Sequence, residues 1–403
     1  MEESLSEGGD EELLMLYHLV YSTVSFIFGI AVLVKYFRNE LRLGVRCVYA
    51  LLVLFAGEPV CHFAIGSHLG VIIFILFCIV TYVTLPANHL EINHKAVLVT
   101  GCDSGLGLAL AQYLDKRGFD VFAGILHKGG HGEVLLNASC STRLTTLQLD
   151  VTKKDQIQQA FQTVQRKLGG QGLWGLVNNA GVFSFMDIEL TPLSIYQQLL
   201  DVNCLAVVQM TKTFLPLIRK VQGRVVNISS TYGRVPLMGL SAYNISKAGV
   251  EIFTDVLRQE MKKWGIKVSL VEPYGFLTSI ISRDKMDCVY HSMMDNLTPE
   301  LLQLYGTSYF ETYKKEIVEH EGRTLHCSES LTEDCQFLCR CVRDALLSRW
   351  PQARYPEGPG ARILMLLSDH LPTAMLDLFL PHILPDWAKI KPDVSQSSSN
   401  MQY

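Results

Sequence analysis

The chain has 403 residues, 49% of them hydrophobic, and a net charge of −4 at pH 7 with both signs interspersed. No basic stripe runs through it, which removes the electrostatic footprint of a nucleic-acid binder, and much of the hydrophobic excess lies ahead of Pro86. The remainder of the chain has the composition of an ordinary soluble domain of roughly 250–300 residues, enough to bury a sizeable core.

Residues 1–12 are acidic, with Glu2, Glu3, Glu7, Asp10, Glu11 and Glu12, and read as a solvated tail. Residues 13–34 then form a 22-residue stretch without formal charge, His18 counted neutral. That is long enough to span a bilayer core, and no basic region or cleavage site makes it a signal peptide. Residues 69–85 are a second strong span, and 45–65 a weaker one broken by Glu58 and Pro59. Residues 1–90 are thus expected to be a tail and membrane anchor of two or three spans. The loop 35–46 carries Lys35, Arg38, Arg42 and Arg46 and should face the cytosol. If 45–65 and 69–85 both cross, the domain after Pro86 is cytosolic; if they form one crossing, it is lumenal. The glycosylation patterns at Asn227 and Asn244 fall where a glycan would obstruct the candidate catalytic residues, which favours the cytosol.

From Lys95 the pattern changes to alternating strands and helices. Short apolar runs predict strands at 95–101, 120–126, 144–150, 173–179, 223–229 and 267–273, with helices over 105–117, 153–168, 193–218 and 241–263. This alternation predicts an α/β fold: a doubly wound parallel sheet with helices on both faces. Residues 280–345 read as helical and irregular, and Pro351, Pro356, Pro359 and Gly360 as a loop. The catalytic domain is therefore placed at 91–350. An apolar segment suited to a membrane surface is placed at 351–391, and a disordered Ser- and Gln-rich tail at 392–403. The eleven cysteines include no Cys-x-x-Cys pair. Cys335, Cys339 and Cys341 have helical spacing and no partner histidines, so no metal is expected. This usage fits a reducing compartment for the catalytic domain.

Thr100-Gly101-Cys102-Asp103-Ser104-Gly105-Leu106-Gly107 directly follows the first strand and opens a helix. Glycines permit a tight turn there, and the helix N-terminus offers N–H groups to a pyrophosphate. Asn178-Asn179-Ala180-Gly181 ends the fourth strand and is expected to wall the cofactor, with one Asn pinning neighbouring strands. Tyr243 and Lys247 are four apart at the start of a helix and share a face. A free tyrosine, with a pKa near 10, is a poor base at neutral pH. A neighbouring ammonium is expected to lower that value, and a drop of about two to three would be worth roughly 3–4 kcal/mol. Tyr243 would then exchange a proton with a substrate oxygen. Ser230, closing a strand thirteen residues earlier, is placed to hold the same oxygen.

Together the glycine turn, the Asn-Asn-Ala-Gly run, Asp201-Val202-Asn203, Ser230 and the Tyr-x-x-x-Lys resemble the signature of the short-chain dehydrogenase/reductase family. The resemblance covers residues 95 to about 280 and implies a Rossmann sheet of about seven strands. It also implies a catalytic set in which Asn203 supports a relay water, Ser230 orients the substrate oxygen, Tyr243 is the acid/base, and Lys247 also holds the nicotinamide ribose. Gly101, Asp103, Ser104, Gly105, Leu106, Gly107, Asn179, Ala180 and Gly181 then line the cofactor. Asp150 and Val151 match the pair that contacts adenine, and Thr278 the residue that contacts the carboxamide. The chain departs from the family's Pro-Gly with Pro273-Tyr274-Gly275, which puts a side chain where backbone is expected beside the nicotinamide.

Neither the basic residue typical of NADP sites nor the acidic residue typical of NAD sites follows the second strand, Lys128 being the one exception to the first; NAD is favoured over NADP. A subgroup of the family shares stretches such as KAVLVTGCDSGLG and GLWGLVNNAG. It implies oxidation of a secondary alcohol on an apolar substrate, a 17β-hydroxysteroid of the estradiol or testosterone type, at the endoplasmic reticulum membrane. Retinol and D-3-hydroxybutyrate are the alternatives, and a non-catalytic membrane-bound binding protein is the second. A steroid needs a long apolar pocket, for which Ile280, Ile281, Met286, Met293 and Met294 are offered. The family's pairing through long helices implies a homodimer.

Overall fold

A computed structural model of the chain describes residues 3–37, 52, 56–61, 67–84, 89–274, 283–324, 333–358 and 360–380. Of the expected features, Thr278, Ile280, Ile281, the Met286 side chain, most of the weak span 45–65 and the tail beyond 380 lie outside the described residues.

The chain divides into two units, Met1–Glu91 with Leu347–Trp350, and Ile92–Leu346 with Pro351–Tyr403. In the first, the helix Glu3–Phe37 contains Met15–Lys35, which is long and apolar enough to cross a membrane. The helix Ser67–Thr84 is also apolar, though shorter. The two pack through Tyr21, Phe28, Phe74 and Cys78, and Lys35 lies over the Tyr82 ring. Elsewhere their side chains are largely exposed, among them Leu19, Phe26, Ile27, Phe77 and Val83.

The second unit carries a seven-stranded parallel sheet in the order β3-β2-β1-β4-β5-β6-β7. The strands are β1 Ala96–Val99, β2 Asp120–Ile125, β3 Leu144–Gln148, β4 Gly175–Asn178, β5 Arg224–Ile228, β6 Lys267–Pro273 and β7 Arg354–Glu357. β1, β4 and β5 are buried along their whole length. Helices cover both faces of the sheet, so these strands are largely apolar; β1 is wholly so, while β4 and β5 carry the buried Asn178 and Asn227. On one face Ala96, Leu98, Leu176, Val225 and Val268 pack with three helices. Lys154–Lys167 contributes Ile157 and Val164, Ala206–Arg219 contributes Met210 and Phe214, and Ser241–Met261 contributes Leu257. On the other face Gly175 lies against Leu346 of the helix Glu333–Leu347.

Three elements differ from expectation. β7 occupies the segment read as a loop, because Pro356 looks like a breaker. An edge strand tolerates proline, whose missing N–H removes no bond from the outer side, and Pro356 pairs in register with Glu272. The helix His131–Ser139 has no counterpart in the periodicity, since only Gly132 and Leu136 of it are buried. The single helix expected over 193–218 is two, Leu193–Leu200 and Ala206–Arg219, joined by a π-helical turn at Asp201–Leu205. Such turns insert an extra residue into the ladder and are frequent at functional sites; this one holds Asn203, which is buried.

Candidate active site

The strand order reverses between β1 and β4, and in open α/β sheets ligands bind beyond the strand ends at such a point. The glycine turn after β1 and the Asn-Asn-Ala-Gly run after β4 meet there. Thr100 Oγ1 accepts from the N–H groups of Asn179 at 3.0 Å and Ala180 at 2.9 Å, while Asn179 Nδ2 donates to Thr100 O at 2.9 Å. Gly107 closes the turn: a Cβ there would collide with Gly101 O and stand 2.5 Å from Asn179 Nδ2. Ser104 is extended ahead of the helix Gly105–Lys116, and no side chain caps that helix. Its first N–H groups are thus presented at the strand edge, which fits the pyrophosphate of a dinucleotide. Asn178 pins β4 to β5, its Nδ2 donating to Asn227 Oδ1 at 2.8 Å, and Asn227 Nδ2 ties β5 to the helix Ser241–Met261 by donating to Thr254 Oγ1 at 2.8 Å. Asn227 is fully buried, so the folded chain offers no glycan acceptor at that position.

Ser230 follows β5, and Tyr243 and Lys247 lie on the first turns of Ser241–Met261; all three are buried. The Ser230 side chain is the neighbour that favours the ionised form of Tyr243. It is itself fixed by accepting from Tyr232 N–H at 3.2 Å and donating to Pro273 O at 3.4 Å. Lys247 Nζ donates to Ile228 O at 3.1 Å and lies 5.7 Å from the centroid of the Tyr243 ring. Asn203 is held at both ends of its amide. Its Oδ1 accepts from Val182 N–H at 2.8 Å, and its Nδ2 donates to Val182 O and Ser246 Oγ, each at 2.9 Å. A Cβ at Gly181 would stand 3.3 Å from Asn203 Oδ1 and 3.7 Å from Lys247 Nζ. The structure therefore brings Asn203, Ser230, Tyr243, Lys247 and the β4 run into one cluster.

Asp103 reaches the end of β2, where it accepts two backbone N–H groups. Asp150 and Val151 follow β3; Asp150 Oδ1 accepts from Thr152 N–H at 2.9 Å, and Val151 is buried. Spacing did not point to Ser246, which links Asn203 to the catalytic helix by donating to Tyr243 O at 2.8 Å. Its place directly before Lys247, inside the Tyr-x-x-x-Lys turn, was the available signal. Phe183 was missed as well; its ring meets that of Tyr243 edge-on at 5.0 Å.

The electrostatics correct one expectation. Tyr243 is pushed up to about 12, because burial outweighs the opposing influence of the Ser230 hydroxyl, and Lys247 is pushed down to about 8 by burial. Proximity of the ammonium alone does not make the phenol acidic. Both groups are enclosed by protein, and desolvation disfavours the charged form of each.

Tyr243 is itself packed into a buried wall of largely aromatic side chains with Phe185, Met293, Tyr305, Tyr309, Phe310 and Tyr313. The hydroxyls of Tyr305, Tyr309 and Tyr313 donate to Glu189, Asp187 and Phe185 O respectively. Met294 packs against the same cluster. Among the described residues, the buried cations are Lys247 and Arg224, and Arg224 begins β5 at the end remote from Ser230. Tyr274 packs with Val235, Leu364 and Met365 and meets the Tyr232 ring at 6.1 Å.

Comparison with known proteins agrees with this geometry. The family model described as short chain dehydrogenase matches residues 95–287. The chain is 40% identical to human 17-beta-hydroxysteroid dehydrogenase type 2 over 336 residues, covering 82% of this chain and 85% of that protein. It is 39% identical to mouse retinol dehydrogenase 7, covering 76% and 91%. It is 40% identical to bovine mitochondrial D-beta-hydroxybutyrate dehydrogenase, covering 74% and 87%. The crystal structure of a short-chain dehydrogenase from Streptomyces avermitilis shares the fold, with a TM-score of 0.52 at 23% identity over 76% of this chain and 98% of that one. A strand edge built to receive a dinucleotide, a buried Ser–Tyr–Lys cluster beside it and these relatives lead to one conclusion: the chain belongs to the short-chain dehydrogenase/reductase family and is an oxidoreductase.

Proposed function

We propose that the chain oxidises a secondary alcohol on an apolar, steroid-like substrate, with NAD as the acceptor. The observation that carries this reading is the burial of Ser230, Tyr243 and Lys247 together, with Tyr243 set in a wall of largely aromatic side chains. In this reading Ser230 and Tyr243 grip the substrate hydroxyl; Tyr243 first passes its own phenol proton to the relay water, and the phenolate so formed takes the substrate proton as the carbon gives up a hydride. The bound nicotinamide supplies the hydride acceptor. Lys247 stabilises the Tyr243 phenolate before the substrate proton reaches it and holds the nicotinamide ribose, and Asn203, locked between Val182 and Ser246, orients the relay water. The turn at Gly101, Asp103, Ser104, Gly105, Leu106 and Gly107 holds the pyrophosphate and adenosine side. Asn179, Ala180 and Gly181 line the cofactor, with Asp150 and Val151 at the adenine.

The wall supports a steroid over a small hydroxy acid, because a carboxylate substrate needs a cation to meet it. A 17β-hydroxysteroid is the first choice on the likeness to human 17-beta-hydroxysteroid dehydrogenase type 2. Retinol is the second reading, favoured by the same apolar wall and the mouse relative's name. The apolar helix Met15–Lys35 supports anchorage in the endoplasmic reticulum membrane, where such substrates partition. The helices Ala361–His370 and Thr373–Phe379 leave Ile363, Leu366, Met375, Leu378 and Phe379 exposed, which supports a membrane-surface role for that segment.

The test is Tyr243→Phe, assayed in membranes with NAD and a panel of estradiol, testosterone, retinol and 3-hydroxybutyrate. Loss of the proton acceptor should lower kcat by about a thousandfold or more, within the usual range for a general acid–base group, with NAD binding retained. Turnover within tenfold of the wild-type chain, in a variant that still binds NAD, would remove Tyr243 from the mechanism.

A further inference from the structure

β2 ends without an acidic side chain: Ile125 is followed by Leu126, His127 and Lys128. In dinucleotide-binding folds of this kind, a carboxylate some twenty residues beyond the glycine turn receives the adenosine ribose 2′-hydroxyl. Here a carboxylate arrives at that place by another route. Asp103, inside the glycine turn itself, crosses to the end of β2. Its Oδ2 accepts from Leu126 N–H at 2.8 Å and its Oδ1 from His127 N–H at 2.9 Å.

A second carboxylate stands behind it. Glu133, in the first turn of the helix His131–Ser139, accepts from Gly129 N–H at 2.6 Å and from the Thr146 hydroxyl at 2.8 Å. Those two bonds, with Lys128 adding to them, hold its carboxyl below the usual range, so it is ionised at neutral pH. Packing fixes the arrangement. Gly132 lies so close on the Asp103 backbone that a Cβ would stand 2.6 Å from its carbonyl carbon and 2.7 Å from its Cα.

The consequence is chemical. A 2′-phosphate is bound by free N–H groups and cations. In the loop after β2, the N–H groups of Leu126, His127 and Gly129 already point at carboxylates. Lys128 interacts with Glu133, which offsets its attraction for a phosphate. An ionised carboxylate has about four lone-pair sites, so Asp103 keeps acceptor capacity for a ribose hydroxyl after taking two N–H bonds.

We infer that Asp103, backed by Glu133, is the residue that selects NAD over NADP in this chain, accepting the ribose 2′-hydroxyl and repelling a 2′-phosphate. The inference rests on the reading of the cluster as an NAD site and names the residue that makes it one.

Calorimetric titration of the full chain in detergent micelles with NAD, NADP, ADP and 2′,5′-ADP tests it without turnover. The wild-type chain should bind NAD at least about tenfold more tightly than NADP, since juxtaposed like charges cost several kcal/mol. Asp103→Asn should tighten NADP and 2′,5′-ADP by about tenfold and weaken NAD by about threefold to tenfold, the difference between a hydrogen bond to a carboxylate and one to the neutral amide oxygen that replaces it. Glu133→Gln keeps an amide oxygen for Gly129 and leaves the glycine turn untouched. It should tighten NADP by about threefold on the weaker charge effect, and it decides the matter if Asp103→Asn fails to fold. A wild-type chain that prefers NADP overturns both the NAD reading and the inference. A wild-type chain that prefers NAD, with the NAD/NADP ratio unmoved in the folded variants, overturns the inference alone.

Discussion

Lys247 illustrates how a residue proposed for catalysis works against the fold that holds it. Its ammonium is buried and donates to Ile228 O, and burial brings its pKa from 10.5 to about 8. Between those values the unfolded chain binds the proton and the folded chain does not. Stability from this residue is therefore full above about pH 10.5 and is lost as pH falls through about 8. Replacing it with Met should raise stability at pH 7 by about 1–3 kcal/mol, while abolishing turnover. Denaturant melts of Lys247→Met and wild-type chains at pH 7 and pH 9.5 would check this, the gain shrinking at the higher pH. A variant less stable than wild type at pH 7 would show that the Ile228 bond outweighs desolvation.

At the scale of elements, the catalytic helix is tied to β6 and β7 by one guanidinium. Arg354 of β7 donates to Glu251 at 2.9 Å, to Glu272 at 2.6 Å and to Asp255 at 2.6 Å. Arg234, which also pairs with Asp369, lies 3.9 Å from Glu251. Glu251 is one turn beyond Lys247 on the same helix, and Glu272 is fully buried. Burial first, then the charge of Glu272, pushes the Glu251 carboxyl up to about 7. Because that value is raised, the stability it contributes is full below about pH 4.5 and is lost as pH rises through about 7. Arg354→Met leaves these carboxylates without their main partner and should destabilise by about 3–5 kcal/mol, the usual penalty for breaking a buried ion pair. The loss should be smaller at pH 5, where Glu251 carries a proton, than at pH 8. Thermal melts at the two values measure the difference, and equal losses would deny Glu251 its role.

On the scale of the whole molecule, the apolar helix Met15–Lys35 and the parallel sheet belong to separate units. If the loop 35–46 is cytosolic and two further crossings come after it, the catalytic domain lies on the cytosolic side. Trypsin added to intact microsomes should then cleave the domain after Pro86 without detergent. Protection that disappears only on permeabilisation would instead put the domain in the lumen and reduce the later crossings to one.

Much of the fold and most of the candidate site were legible in the order of residues. Strand–helix alternation, the turn from Gly101 to Gly107 and the Tyr243–Lys247 pair are local. They depend on backbone periods and spacings of a few residues, which the sequence by itself determines. The tertiary structure decided what depends on distant neighbours. β7, unreadable through its proline, forms because β6 offers it an edge. Asp103 meets Leu126 at the end of β2 across 23 positions, and Arg354 meets Glu251 across 103. The acidity of Tyr243 and Lys247 was likewise out of reach of spacing, since desolvation is summed over every group that folding packs around a charge, and no short stretch of chain contains that sum.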